Sequence, residues 1–460
     1  MTQFKCLSPI DGSLVHEGAL HGAPDINRAL SAAVAAQAKW KAMPLAERIS
    51  ILQRAITHLY DSREEIGVEI TRQMGRPVRY TAGELGGVKE RGEMMLALAP
   101  KALADIEAET KEGFTRKIKR EALGVVAVLA PWNYPFLTSV NAIIPALVAG
   151  NAVTLKHSAQ TPLVALRYAE AFKHSGLPDD VFQILFLNHA GAASLMGDAR
   201  VDYVAFTGSV GGGHAVTQAI SDKFIGAGLE LGGKDPAYIR ADTDPVNAAI
   251  NLADGAFFNS GQSCCGIERI YVDQSHFDVV VETVVSEAKA LVLGDPMKPE
   301  TTLGPMASVK GADSVRDFIK DAIAAGAKAH LPLDENWGSA YLGPQVLTNV
   351  THEMGVMTEE CFGPVVGIMA TATDAEAIAL MNDSDYGLTA SIWTNDADAA
   401  EAIGDQLETG TVFLNRCDYL DPELAWTGVK NSGRGATLSK LGFEHLTRPK
   451  SYHFKLPPTA

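Results

Sequence analysis

From about residue 120 onward, short apolar runs alternate with helical stretches, and this order constrains the fold of the 460-residue chain more than any other feature. Gly124–Ala130 is a continuous apolar run closed by Pro131, the pattern of a strand buried on both faces. A helical stretch follows and ends at Gly150, and Ala152–Leu155 is the next strand. Thr161-Pro162 supplies an N-cap and a proline for the first helical position of a helix ending near Gly176. Val181–Leu187 and Tyr203–Thr207 repeat the strand pattern. A βαβα order of this kind implies a parallel sheet with helices on both faces, an architecture that often holds a dinucleotide.

A second α/β set begins near residue 233. Asp244-Pro245 starts a helix running towards Phe258, and Glu268–Val272, Gly363–Met369, Thr389–Trp393 and Thr411–Asn415 read as strands. Two α/β lobes usually hold a ligand in the cleft between them.

Charge and composition narrow the function. A net charge of −16 disfavours nucleic acid and anionic membrane as partners. The nearest thing to a basic cluster, Lys111–Arg120, alternates with apolar positions and reads as an exposed strand face. No apolar run reaches the ~18 residues of a membrane span, and Met1–Asp11 has no signal-peptide pattern, so a cytoplasmic location is expected. Five cysteines, an odd and sparse set without metal-ligand spacing, point to a reducing compartment and no bound metal.

Six motifs carry a resemblance: Pro131-Trp-Asn-Tyr-Pro135, Phe206-Thr-Gly-Ser209, Glu230-Leu-Gly-Gly-Lys234, Gly261-Gln-Ser-Cys264, Glu360-Cys-Phe-Gly-Pro364 and Lys430-Asn-Ser-Gly433. In this order and at these separations the chain resembles the NAD(P)-dependent aldehyde dehydrogenase superfamily over nearly its whole length. The resemblance implies a Rossmann-type cofactor domain (1–103 and 124–232), an α/β catalytic domain (233–444) and a small β oligomerisation arm (104–123 and 445–460). It also implies a homodimer or homotetramer that takes NAD or NADP and a small-molecule aldehyde.

A thiolate is the side chain best suited to reversible attack on an aldehyde. By residue type alone, Cys264 and Cys265 read first as small buried hydrophobes. The family's Gly-Gln-x-Cys pattern selects Cys264 as nucleophile, and Cys265 is expected to point elsewhere. Cys6, Cys361 and Cys417 are expected to be structural.

Glu230 lies in the apolar segment Gly228–Gly232, where a carboxyl has a raised pKa suited to general-base work. Its alternative is a salt-bridged glutamate at a strand end. The resemblance makes it the base that activates water, with Gly232-Gly233 allowing close approach. Asn133 follows a strand end, where an open sheet places its ligands. Resemblance assigns its amide to the alkoxide, together with the Cys264 backbone N–H.

There is no G-x-G-x-x-G fingerprint, but Gly208-Ser-Val-Gly-Gly-Gly213 follows a strand and opens a helix, as a phosphate site does. The resemblance implies cofactor contacts at Gly208, Ser209, Lys156, Trp132, Glu360 and Phe362. Many NAD-preferring members carry a glutamate where this chain has Ala159. Its absence, with Ser158 beside it as a phosphate donor, leads us to expect that NADP is tolerated or preferred.

The substrate channel is expected to include Tyr134, Asn141, Asp418, Leu420 and Trp426. Succinate-semialdehyde members tend to carry an arginine seven residues past the motif aromatic, and that place is Asn141 here. A semialdehyde is therefore the alternative rather than the first reading. Asp418, Asp421 and Glu423 either attract a cationic amino- or betaine-type aldehyde or form a solvated acidic loop. Ala425-Trp-Thr-Gly428 departs from the family's usual Pro-Phe-Gly-Gly. Two rivals are a cysteine-dependent hydrolase or esterase, which needs a histidine partner, and acyl release to CoA, which needs no water base.

Overall fold

The structure is a computed structural model that describes residues 3–457. Residues 1–2 and 458–460, which close the ends of the expected cofactor domain and arm, lie outside the described residues.

The fold is mixed α/β; the described residues form two largely parallel sheets, a three-stranded antiparallel sheet and two antiparallel strand pairs. The first sheet runs Gly433–Arg434, Gly226–Glu230, Tyr203–Thr207, Val125–Ala130, Ala152–His157, Phe182–Ile184. All its neighbours are parallel except Gly433–Arg434, which pairs antiparallel with the strand ending at Glu230. Chain order reverses beside Val125–Ala130: the next strands build outward on one side, and Tyr203–Thr207 returns to its other flank. The crevice at the carboxyl ends of those two strands is where an open sheet binds its ligand. Pro131–Tyr134 and Gly208–Ser209 leave the sheet there.

Several boundaries shift by one or two residues from the sequence reading, and two of the shifts have a clear cause. The Val181–Leu187 strand is only Phe182–Ile184, because this edge strand has a single neighbour and Phe186 turns its N–H to His21 Nδ1. The helix expected to start on Thr161 is Leu163–Ser175, with Pro162 at the cap. Gln73 Oε1 accepts from Leu163 N–H, so a distant side chain does the capping.

The second sheet runs Lys328–Ala329, Gln345–Thr348, Val365–Thr371, Ile267–Asp273, Asp235–Ile239, Thr389–Trp393, Thr411–Leu414. Glu230–Lys234 is the chain's crossing from the first sheet into Asp235–Ile239 of the second. The third sheet joins Thr447–Lys455 to Phe114–Ala122 over nine residue pairs, with Ile106–Glu107 on the far edge. Helix Val78–Ala102 packs against Pro135–Val148, the helix that follows the Pro131–Tyr134 turn. No described helix is long and apolar enough to cross a membrane.

Candidate active site

Helix Pro245–Phe257 starts on an Asp244 cap, as the sequence indicates, and breaks at Phe258–Gly261. There Asn259 and Ser260 take left-handed φ values of 54° and 56°, followed by Gly261 at 68°. Left-handed backbone costs a non-glycine residue about 1–2 kcal/mol. Side chains hold it. Asn259 Nδ2 donates to the carbonyls of Asn133 and Gln262, both at 3.2 Å. Gln262 Nε2 donates to Asn259 O at 3.0 Å, and Ser260 Oγ to Gly304 O at 3.0 Å. A Cβ at Gly261 would strike the Gly363 carbonyl, and one at Gly233 the Cys264 carbonyl. The loop therefore passes between two backbone segments that only glycines admit.

This strained turn delivers Cys264, half-buried, to the meeting point of two cavities. One, of about 290 Å³, lies at the crevice of the first sheet; Trp132, Asn133, Gly208, Ser209, Glu360 and Phe362 line it. The other, of about 160 Å³, has Glu230 on its wall. Thr207 and Cys264 border both.

Asn133 is buried beside Cys264 in the crevice. Its Nδ2 donates to Gln262 O at 3.2 Å, which fixes the amide against the nucleophile loop. Its own carbonyl accepts from Asn259 and from Arg76 Nη2. Arg76 Nη1 in turn pairs with Glu84 at 2.6 Å, both side chains buried. Glu84 Oε1 accepts from Phe136 N–H at 2.8 Å and Leu137 N–H at 3.1 Å, satisfying first-turn donors of helix Pro135–Val148. Arg76, Glu84 and Asn259 escaped the sequence reading. Charged residues eight apart at a helix start read as a solvated face, and only the tertiary contact makes them a brace.

Glu230 sits at the end of its strand with both carboxylate oxygens held. Thr437 Oγ1 donates to Oε1 at 2.5 Å and Thr207 Oγ1 to Oε2 at 3.0 Å. Burial pushes its pKa up; the two hydroxyls and the Arg91 charge pull it partly back. Its surroundings are thus less apolar than the sequence suggests, and no cation forms a salt bridge with it among the described residues.

In the crevice, Glu360 Oε1 accepts from Gly233 N–H at 3.0 Å, and burial pushes its carboxyl up to about 8. A Cβ on Gly232 would run into this carboxyl, so both glycines of the crossing admit neighbours. Phe362 meets Trp132 edge to face at 5.7 Å between centroids. Its loop is pinned by Glu268, which accepts from the N–H groups of Cys361 and Phe362 and pairs with buried Lys234 at 2.5 Å. Ser209 caps helix Val210–Ala219 by accepting from Gly212 N–H.

Lys156 and Ser158 are not on the crevice wall. Lys156 is half-buried at the end of its strand, and Ser158 Oγ accepts from Gln160 N–H in a local turn. Ala159 is exposed on that turn.

All five expected channel residues, Tyr134, Asn141, Asp418, Leu420 and Trp426, line the smaller cavity. Two corrections apply there. Cys265 does not point elsewhere: the chain turns at Cys264–Cys265, so both thiols face the same cavity, and Cys265 Sγ donates to Asp418 Oδ1 at 2.9 Å. The cation missing at Asn141 arrives from another helix, because Arg91 also lines this cavity, with Nη1 3.5 Å from Asn141 Oδ1. Of the three acids read as a cluster, only Asp418 reaches the wall; Asp421 and Glu423 are exposed.

Comparison with known proteins identifies the family and the fold. The sequence profile of the Aldehyde dehydrogenase family matches residues 1–452. An aldehyde dehydrogenase of Paenarthrobacter nicotinovorans is 31% identical over 97% of this chain and 98% of its own length. An NAD(P)+ succinate semialdehyde dehydrogenase of Escherichia coli is 33% identical over 92% of each chain. The crystal structure of succinic semialdehyde dehydrogenase from Streptococcus pyogenes in complex with NADP+ superposes with a TM-score of 0.94 at 27% identity, covering 98% of this chain and 100% of that one.

Proposed function

The chain belongs to the aldehyde dehydrogenase family, an oxidoreductase acting on aldehydes with NAD(P), and on that premise we propose that it forms the carboxylic acid through a thioester on Cys264. The observation that carries this reading is the position of that thiol, between a crevice at the sheet's switch point and a separate cavity holding a carboxyl base.

The crevice suits a dinucleotide. It has an indole and a phenyl wall, a carboxyl at Glu360, and the N-terminal end of helix Val210–Ala219, whose free N–H groups favour a phosphate. When bound, the nicotinamide supplies one chemistry, acceptance of a hydride. The rest falls to the chain. Cys264 Sγ adds to the aldehyde carbon and the carbonyl oxygen becomes an alkoxide. The Asn133 amide, fixed by Gln262, and the Cys264 N–H stabilise that oxygen; such donors contribute about 3–4 kcal/mol each. After oxidation, Glu230 takes a proton from water, the hydroxyl adds to the thioester carbon, and the Cys264 thiolate leaves as the acid is released.

No histidine lines either cavity among the described residues, so the thiol-hydrolase rival lacks its partner. The three-stranded sheet built on Phe114–Ala122 is the proposed oligomerisation arm, its outer strand Thr447–Lys455 left with a free edge.

A panel of aldehydes assayed for reduced nicotinamide, with NAD and NADP in parallel, tests the reaction class. Peptide mass analysis of enzyme quenched during turnover should find the acyl group on the Cys264 peptide. Cys264→Ala should lose turnover by at least about 10⁴-fold yet still bind NAD(P). Turnover that survives this substitution would disprove the assignment.

A further inference from the structure

We propose that Arg91 determines specificity by binding an anionic group, a carboxylate in the first instance, at the end of the substrate opposite the aldehyde. This rests on the reaction proposed above and adds the substrate class.

Arg91 stands in the middle of helix Val78–Ala102, its side chain on the wall of the cavity shared by Cys264 and Glu230. It is only 9% exposed. Nη1 donates to Leu137 O at 2.9 Å and reaches Asn141 Oδ1 at 3.5 Å. Among the described residues, Nε and Nη2 have no hydrogen-bond partner and no carboxylate lies within salt-bridge distance.

The other buried arginines are better met, although Arg316 Nε also lacks a partner. Arg76 is paired with Glu84 at 2.6 Å and Arg316 with Asp313 at 2.8 Å. Arg48 donates to the carbonyls of Val148, Lys41 and Met43. Arg269 is met by the carbonyls of Lys234, Leu380 and Met381 and by Tyr271. A buried guanidinium left with open donors is costly unless something else completes it. Arg91 itself lines the space in which substrate must lie.

Glu230 and Asp418 are the competing carboxyls on this wall; Glu230 is already held by Thr207 and Thr437. Asp418 Oδ1 already accepts from Cys265 and from Ser263 Oγ at 3.3 Å. Burial raises its pKa, so it can shed its charge by taking a proton. Guanidinium has no such escape at any physiological pH. Arg91 is the cation on this cavity wall and keeps its charge beside the carboxyls of Glu230 and Asp418, and a planar carboxylate matches the open edge of the fork in a bidentate way. Aldehydes with a cationic tail would meet that charge head on.

The test compares kcat/KM for succinic semialdehyde with that for its methyl ester, which keeps the chain and removes the charge, and with a quaternary-ammonium aldehyde. Wild type should favour the free acid over the ester by about 10- to 100-fold, the value of hydrogen bonds to a charged group. In Arg91→Met the ratio should fall at least tenfold, chiefly through KM, and Arg91→Lys should restore part of it. Should Arg91→Met misfold, the wild-type comparison and competitive inhibition of ester oxidation by succinate still decide. Equal or better use of the ester or the cationic aldehyde by wild type would overturn the proposal, as would a ratio unmoved by Arg91→Met. Aldehyde oxidation without preference sinks this inference alone; no oxidation of any aldehyde sinks the parent reading with it.

Discussion

Thr437 Oγ1 lies 2.5 Å from Glu230 Oε1, a hydroxyl donated to the candidate base across 207 residues of sequence. This bond stabilises the charged form of a carboxyl that burial drives toward neutrality. Removing it should raise the pKa further. The base works only as carboxylate, so activity falls as pH drops through its pKa. In Thr437→Val the acidic limb of the kcat profile should move to higher pH by about one unit. A limb that stays in place would show that another group sets it.

Glu84 joins two functions, pairing with Arg76 and accepting the first N–H groups of helix Pro135–Val148. Glu84→Gln leaves a buried guanidinium without its anion, which costs about 3–5 kcal/mol. Denaturant melts should show the loss, and kcat should fall as well, since Arg76 also holds the Asn133 carbonyl. Full stability with full activity would mean the brace is dispensable.

Ala159 occupies an exposed turn just after strand Ala152–His157. A carboxylate there would repel a 2′-phosphate and offer an acceptor to a ribose hydroxyl. Ala159→Glu should lower kcat/KM for NADP relative to NAD by about tenfold or more. Parallel assays with both cofactors measure it, and an unchanged ratio would place the adenosine ribose elsewhere.

Glu360 is pushed up to about 8 by burial. Unfolded, a glutamic acid titrates near 4.3. Its contribution to stability is therefore fully present below about 4.3 and is lost as pH rises through about 8. Chemical melts across that window should show wild type losing up to about 1.4 kcal/mol per pH unit from this group. Glu360→Gln should flatten the decline. Parallel curves for the two proteins would refute it.

Much of the fold was legible because its evidence is local. Apolar runs such as Gly124–Ala130, closed by Pro131, specify strands by burial pattern, and Asp244-Pro245 starts its helix where capping chemistry requires. Ends that depend on distant partners were missed: Leu163 is capped by Gln73, and the edge strand Phe182–Ile184 stops where its pairing stops. Cys265 was misplaced because alternation of neighbouring side chains holds in a strand but not in the turn that carries it.

The sequence by itself determined the chemistry available: a cysteine behind a glycine, a glutamate ending an apolar strand, an asparagine after another, and the order of elements that makes a parallel sheet. Tertiary structure decided which side chains share a space. Arg91 comes to the Cys264 cavity from a helix 173 residues upstream (264 − 91), and Arg76 reaches the Asn133 carbonyl inside the core. Such meetings leave no periodic trace in the chain, because burial and charge pairing between remote segments are set by packing rather than by neighbours in sequence.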